Sequence, residues 1–232
     1  MDQPTESQIS QAEVQSQLQT IYLHRFKGLE LYRNTVWKVL VFEYFSKWVR
    51  PHQAVLDLGC GYGEFINNVS AAQRFAMDLN PATKNLLQPG VKFLQQDCSG
   101  PWPLPANSLD LVFTSNFFEH LPFKSALQAT LLQAYHCLKP GGRLIALGPN
   151  VRYLSGEYWD FFDHHLALTE RSLAEVLTMS GFTVEMALSK FLPYTMSQGF
   201  RPPVFLLRLY LKLPFLWRFF GRQFLVVGRK AA

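Results

Sequence analysis

The sequence predicts an α/β domain: a doubly wound, mostly parallel sheet of seven strands with an antiparallel final strand, preceded by a helical addition. Three observations carry this expectation. Strand-like apolar runs alternate with helical ones from residue 54 to residue 182, the pattern of parallel strands joined by crossover helices. The stretch VLDLGCGYGEF (55–65) sets a glycine turn directly after the first strand. TVEMALSKFL (183–192) and QFLVVGRK (223–230) then read as a closing antiparallel pair.

In chain order, residues 1–18 form a polar, Gln/Ser-rich leader without the apolar core of a secretion signal. From Ile21 to Val49 apolar residues recur at helical spacing, among them Leu29, Tyr32, Val36, Val39, Leu40 and Phe45, which predicts one or two helices. AVLDLG (54–59) is the first strand, with a helix expected through about Val69. RFAMDL (74–79) is the second, followed by a helical PATKNLLQ. VKFLQQD (91–97) and LDLVFTSN (109–116) are the third and fourth, and SALQATLLQAYHCL (125–138) is a helix that KPGG stops. RLIALG (143–148) is the fifth strand, and SLAEVLTMSGF (172–182) is a helix with Thr169 as N-cap and Gly181 as C-cap. These elements divide the chain into a leader and helical cap, 1–50, and a main domain, 51–232, with a basic, apolar insertion at 200–222. No internal repeat is visible.

Composition narrows the function. Charged residues are 17% and apolar ones 48%, so the body is globular. Cys60, Cys98 and Cys137 are too widely spaced for a disulfide framework or a zinc site, which suits a reducing cytoplasm. The net charge of +5 is uneven. Eight of the 22 basic residues and none of the acids follow Glu185, leaving 14 basic against 17 acidic residues before it. The basic residues of the tail are interleaved with Leu, Phe and Trp rather than spread over a docking face, so no nucleic-acid partner is expected.

Which ligand does the glycine turn hold? A dinucleotide fingerprint reads G-x-G-x-x-G and a phosphate loop G-x-x-x-x-G-K-[ST]. Here the spacing is Gly59-x-Gly61-x-Gly63, followed by Glu64 at an expected helix start. A carboxylate there takes the place that a pyrophosphate would want. The pattern favours a ligand with its own cation and no phosphate. Asp78 ends the second strand, where a carboxylate can accept both hydroxyls of a ribose, and Asp97 ends the third, where it can accept from an adenine amino group.

With AMDLNP, QQDCSG, LDLVFTSNFFEHLP and LKPGGRLIALGPN in the same order, the chain resembles class I S-adenosylmethionine-dependent methyltransferases over residues 54–150, and more loosely to about 230. The resemblance implies a Rossmann-like fold and S-adenosyl-L-methionine as cofactor. It implies that Asp57 helps hold the amino-acid end and that Gly59, Gly61 and Gly63 pass beneath it. Asp78 would take the ribose, Leu79 pack on the adenine, and Asp97 and Cys98 read its edge. Asn116 and Phe117 would border the sulfonium, and Arg33 would pair with the cofactor carboxylate. The whole pattern is similar to bacterial stand-alone methyltransferases of glycan and other specialised biosynthesis. That makes a small-molecule or carrier-linked acceptor, with a sugar hydroxyl first, the expected substrate.

Methyl transfer to a hydroxyl is helped by a general base. His120, in SNFFEHLP, is one candidate, against a structural role in the EHL turn. His165, in YWDFFDHHLALTE (158–170), is the other, and Asp163 in the same stretch is a further catalytic candidate, with His164 expected to be structural. Metal is not expected, because adjacent His164 and His165 point apart on most backbones. Rival readings remain. A nucleic-acid amino-methyltransferase would carry an Asn/Asp-Pro-Pro-aromatic stretch that SNFFEH lacks, and a non-catalytic, cofactor-binding membrane adaptor would keep the strand-end acids. The tail PPVFLLRLYLKLPFLWRFFGRQF (202–224) is too interrupted to span a bilayer. It reads either as a peripheral membrane contact through 202–220 or as a lid folded over the core. The sequence sets no oligomeric state.

Overall fold

The computed structural model describes residues 28–194 and 201–232; the polar leader and the start of the expected helical region, residues 1–27, lie outside the described residues. Helix α1 (Glu30–Glu43) is followed by β1 (Ala54–Leu58), β2 (Gln73–Asp78), β3 (Val91–Gln95) and β4 (Leu109–Ser115). Then come α2 (Lys124–Cys137), β5 (Leu138–Pro149), α3 (Glu170–Met179), β6 (Thr183–Leu188), α4 (Val204–Lys212), α5 (Pro214–Phe220) and β7 (Gln223–Arg229). The seven strands form one sheet in the order β3-β2-β1-β4-β5-β7-β6. All pairs are parallel except β7, which runs antiparallel to both β5 and β6. The expected architecture is present.

The burial patterns follow from that order. β1 lies centrally with both faces covered, and every one of its residues is buried. β6 is an edge strand and alternates exposed with half-buried positions. Successive side chains of β1 enter opposite layers: Leu56 and Leu58 pack with α2 and α3, whereas Val55 packs with α1. α1 buries Val36, Trp37, Leu40 and Val41 in the second layer, where Trp37 meets Phe65 and Phe113 edge-on. Each such side chain contributes roughly 1.5–3 kcal/mol by leaving water. The helical addition is thus part of the core. Helix α3 starts as expected: Thr169 accepts from the Ser172 N–H, and the Ser172 hydroxyl accepts from the Thr169 N–H, a reciprocal cap. It ends one residue earlier than expected, with Ser180 as C-cap and Gly181, at φ +94°, just beyond.

Two expected helices are only 3₁₀ turns. After the glycine turn the chain makes a single turn over Ile66–Asn68 instead of a helix to Val69. The amide of Asn68 donates to the Glu64 carbonyl and to Asn34, and that of Asn67 to the Leu86 carbonyl. These bonds compete with a helical ladder and tie the segment to its neighbours. Glu64 therefore does not head a helix, and the helix-dipole argument against a phosphate ligand loses its basis. The PATKNLLQ segment is likewise 3₁₀, over Pro81–Leu86. At the other end, β5 begins at Leu138 and takes in KPGG, so the stop signal opens the strand.

Candidate functional site

The strand order reverses between β1 and β4, and crevices at the carboxyl ends of such strands bind ligands. At the end of β1, Asp57 is 4% exposed and its Oδ2 accepts from the Ile66 N–H at 3.3 Å. Burial drives its pKa well above the usual carboxylate range, the Ile66 bond opposes the rise, and the charges of Glu64 and Asp78 add to it. Gly59, Gly61 and Gly63 all adopt positive φ. A Cβ on Gly59 would fall inside the Phe117 ring, so the turn approaches that ring as only glycine can. Gly59→Ala is therefore expected to lower stability by about 1–2 kcal/mol from left-handed backbone strain alone. Urea unfolding measures this, and an unshifted midpoint would show that the turn relaxes freely.

Asp78 braces the same turn. Its Oδ2 accepts from the Gly61 N–H at 2.8 Å and its Oδ1 from the Asn80 N–H at 2.9 Å. Thr83, which sequence reading passed over, holds the turn from the other side by donating to the Gly61 carbonyl. Leu79 is half-buried next to Asp78. Asp97 lies two residues past the end of β3 and is exposed, with Oδ1 accepting from the Ser99 N–H and hydroxyl. Cys98 beside it is buried against Thr130, and burial pushes its thiol up to about 12, so it is inert. Arg33 lies near the turn, but its guanidinium makes a paired contact with Glu64, at 2.5 and 3.0 Å. The structure thus gives Arg33 a protein carboxylate as partner, where the resemblance implied a ligand's.

At the end of β4, Asn116 has φ +49°, an uncommon conformation for a non-glycine residue, and its buried Oδ1 has no hydrogen-bond partner. Such an orphaned acceptor is costly unless something donates to it. Next in the chain, the 3₁₀ turn Phe118–His120 presents His120. Its Nδ1 lies 2.9 Å from the Asp163 carbonyl and 3.2 Å from the Asp163 carboxylate. A carbonyl only accepts, so Nδ1 carries the proton and the neutral ring keeps its lone pair on Nε2. Burial pulls the His120 pKa down, but the Asp163 hydrogen bond and the charges of Glu119 and Asp163 outweigh it, and the net shift is upward. β2 and β4 flank β1, so Asp78 and His120 both lie at the carboxyl edge of the sheet.

The other candidates after β5 separate. His164 is buried, with Nδ1 on the Tyr158 carbonyl at 2.8 Å, whereas His165 is exposed and its N–H donates to the Glu119 carbonyl. Glu119, which sequence reading did not single out, is 2% exposed and receives the N–H groups of both His165 and Leu166. It anchors the 158–170 segment against the EHL turn. Among the described residues, Glu119, His120 and His164 bring potential ligand atoms within 4.8 Å of one another, a grouping that shares only His164 with the Asp160, Asp163, His164 and His165 set of the sequence. Both imidazoles use Nδ1 on protein oxygens there.

A glycine-lined turn with buried Asp57, half-buried Asp78 and an orphaned acceptor at Asn116 fits a cationic, ribose-bearing ligand. The seven-stranded sheet is the Rossmann-like fold shared by S-adenosylmethionine-dependent methyltransferases, and a methyltransferase-domain match within it implies S-adenosylmethionine as cofactor. Residues 56–146 match the family described as "Methyltransferase domain". Solved structures agree in fold. A complex between the Haloferax volcanii Trm112 methyltransferase activator and a methyltransferase gives TM-score 0.65 at 18% identity, covering 92% of this chain and 97% of that one. A SAM-dependent methyltransferase from Archaeoglobus fulgidus gives 0.58 at 18%, covering 95% of each chain. One from Mesorhizobium loti gives 0.58 at 18%, covering 80% of this chain and 95% of that one.

Proposed function

We propose that the protein methylates a hydroxyl of a small-molecule or carrier-linked acceptor, a sugar hydroxyl first, with His120 as general base. The observation that supports this reading is the Asp163-held His120, whose Nδ1 donates to the Asp163 carbonyl and so leaves the lone pair on Nε2. Asp57, the glycine turn, Asp78, Leu79, Asp97, Cys98, Asn116 and Phe117 would hold the cofactor. When bound, S-adenosylmethionine supplies an electrophilic methyl group on a sulfonium. His120 Nε2 would take the acceptor proton as the methyl group passes to the acceptor oxygen, Asp163 would steady the imidazolium that results, and Asn116 would border the sulfonium. Trp159 and the 98%-exposed Phe162, in the segment that leads into Asp163, are exposed and would offer aromatic faces to a sugar. We also propose residues 51–232 as the methyltransferase domain, with 1–50 as leader and cap. The proposed location is cytoplasmic, peripheral to a membrane through 202–220. Among the described residues no helix is long and apolar enough to cross one.

The test is methyl transfer from labelled cofactor into host extract, then a pH profile on the acceptor so identified. The base must be neutral, and the His120 pKa lies above the ordinary value of about 6.5. Turnover should rise with pH through a midpoint above that value and then level off. Asp163→Asn removes a charge that favours the imidazolium, so its midpoint should move down. A profile flat through the neutral range would exclude His120 as the base.

A further inference from the structure

We infer that α1, α4 and α5 together form a composite face that seats the protein on an anionic membrane. This deepens the peripheral location proposed above by naming the surface and the lipid chemistry it fits. The insert between β6 and β7 is folded on its inner side: Tyr210 and Leu211 are buried, the Tyr210 hydroxyl donates to the Phe191 carbonyl, and the Trp217 indole donates to the Tyr210 carbonyl. Its outer side is a different surface. Phe205, Leu206 and Leu209 of α4 and Phe215, Phe219 and Phe220 of α5 are all exposed.

α1 extends that surface. Leu31, Thr35, Lys38 and Phe42 follow helical spacing on the side opposite its buried residues, and Leu31 and Phe42 are 86% and 76% exposed. α4 lies beside α1, held by the Tyr32 hydroxyl on the Pro202 carbonyl and by an Arg208–Glu43 pair at 3.8 Å. Large apolar side chains on three adjacent helices exceed the scattered exposure that any soluble surface shows. The charges select the occupant. Lys38, Arg201, Arg208, Lys212 and Arg218 are exposed on these helices and the residue leading into α4, against Glu30 and Glu43 of α1, of which Glu43 pairs with Arg208, and the chain has no acidic residue beyond Glu185. Apolar side chains at interfacial depth ringed by cations complement lipid phosphates. The long cationic stems can snorkel toward the headgroups while the rings enter the acyl boundary.

The face adjoins the catalytic end. Tyr32, which holds the start of the insert, precedes Arg33, whose partner Glu64 follows the glycine turn. A docked protein would therefore hold its cofactor site close to the membrane surface, the arrangement that a lipid-carried acceptor requires.

The test uses the full chain and vesicles of phosphatidylcholine with or without phosphatidylglycerol. Wild type should sediment with the anionic vesicles, weakly with neutral ones, and less as salt is added. Exchanging Arg208, Lys212 and Arg218 together for Gln should weaken the association roughly a hundredfold, given the usual contribution of each cation near such a surface. Phe205→Ser with Phe219→Ser should weaken binding even at low salt. Cofactor calorimetry on the same variants should match wild type, and variants that keep full vesicle binding sink the membrane face alone. The inference is equally overturned if wild type ignores anionic vesicles at low salt, or if the Phe variants abolish a self-association that accounts for the exposed face.

Discussion

His120→Asn is expected to lower methyl-transfer turnover by roughly 10²- to 10⁴-fold, the usual contribution of a positioned general base, with cofactor affinity nearly unchanged. Asparagine is the informative replacement. Its amide nitrogen takes the place of Nδ1 and can still donate to the Asp163 carbonyl, which His120 meets at 2.9 Å. The shorter side chain has nothing where Nε2 stood. The contact that ties the EHL turn to the 158–170 segment survives while the base is removed. If His120 were structural only, this variant would keep its turnover. His165→Asn serves as the contrast: its ring is exposed and its backbone makes the contact to Glu119, so turnover should stay close to wild type. A large loss from His165→Asn together with little loss from His120→Asn would transfer the role of base to His165.

The strands could be read along the chain because each is fixed by local facts. Apolar continuity marks the central strands β1 and β4, and alternation marks the edge strand β6. The end of β2 at Asp78 and the cap at Thr169 were legible for the same reason, since each depends on neighbours a few residues away. What escaped was set by partners distant in sequence. The helix expected after Gly63 is displaced by asparagine amides that reach residues 34 and 86. Arg33 looked available for a ligand because its partner, Glu64, lies 31 positions away. His120 and Asp163 were both singled out as catalytic candidates, but as separate ones. Only the fold, which closes a 43-residue separation between them, shows that one orients the other. Glu119 was hidden in plain view within FFEHLP: nothing local tells that its carbonyl will receive the backbone of residues 165 and 166. The insert was read as either membrane contact or lid; α4 buries Tyr210 and Leu211 and exposes Phe205, Leu206 and Leu209, whereas α5 buries none of its residues, a division that helical spacing alone does not give.

Asp78→Asn is expected to weaken binding of S-adenosylmethionine and S-adenosylhomocysteine by roughly 10- to 150-fold, the loss of one hydrogen bond to a charged group. Each Asp78 carboxylate oxygen is already used once, Oδ2 by the Gly61 N–H and Oδ1 by the Asn80 N–H. A carboxylate oxygen has room for a second donor, so a ribose diol can bind without displacing either bond. The asparagine amide keeps one acceptor and turns the other into a donor. That donor would face either the Gly61 or the Asn80 N–H, and the side chain could no longer serve both the turn and the diol. Charge matters as well. Burial pushes the Asp78 pKa up, while its backbone bonds and nearby His120 pull it back down, and a cationic cofactor would lower it further. Cofactor binding should therefore release any proton that Asp78 holds, a coupling that calorimetry in buffers of different ionisation enthalpy reads directly and that the asparagine variant should lose. Thermal unfolding of the free protein separates a damaged turn from a lost ligand contact. Equal melting with weakened binding supports the ribose role, and undiminished binding by Asp78→Asn would remove it.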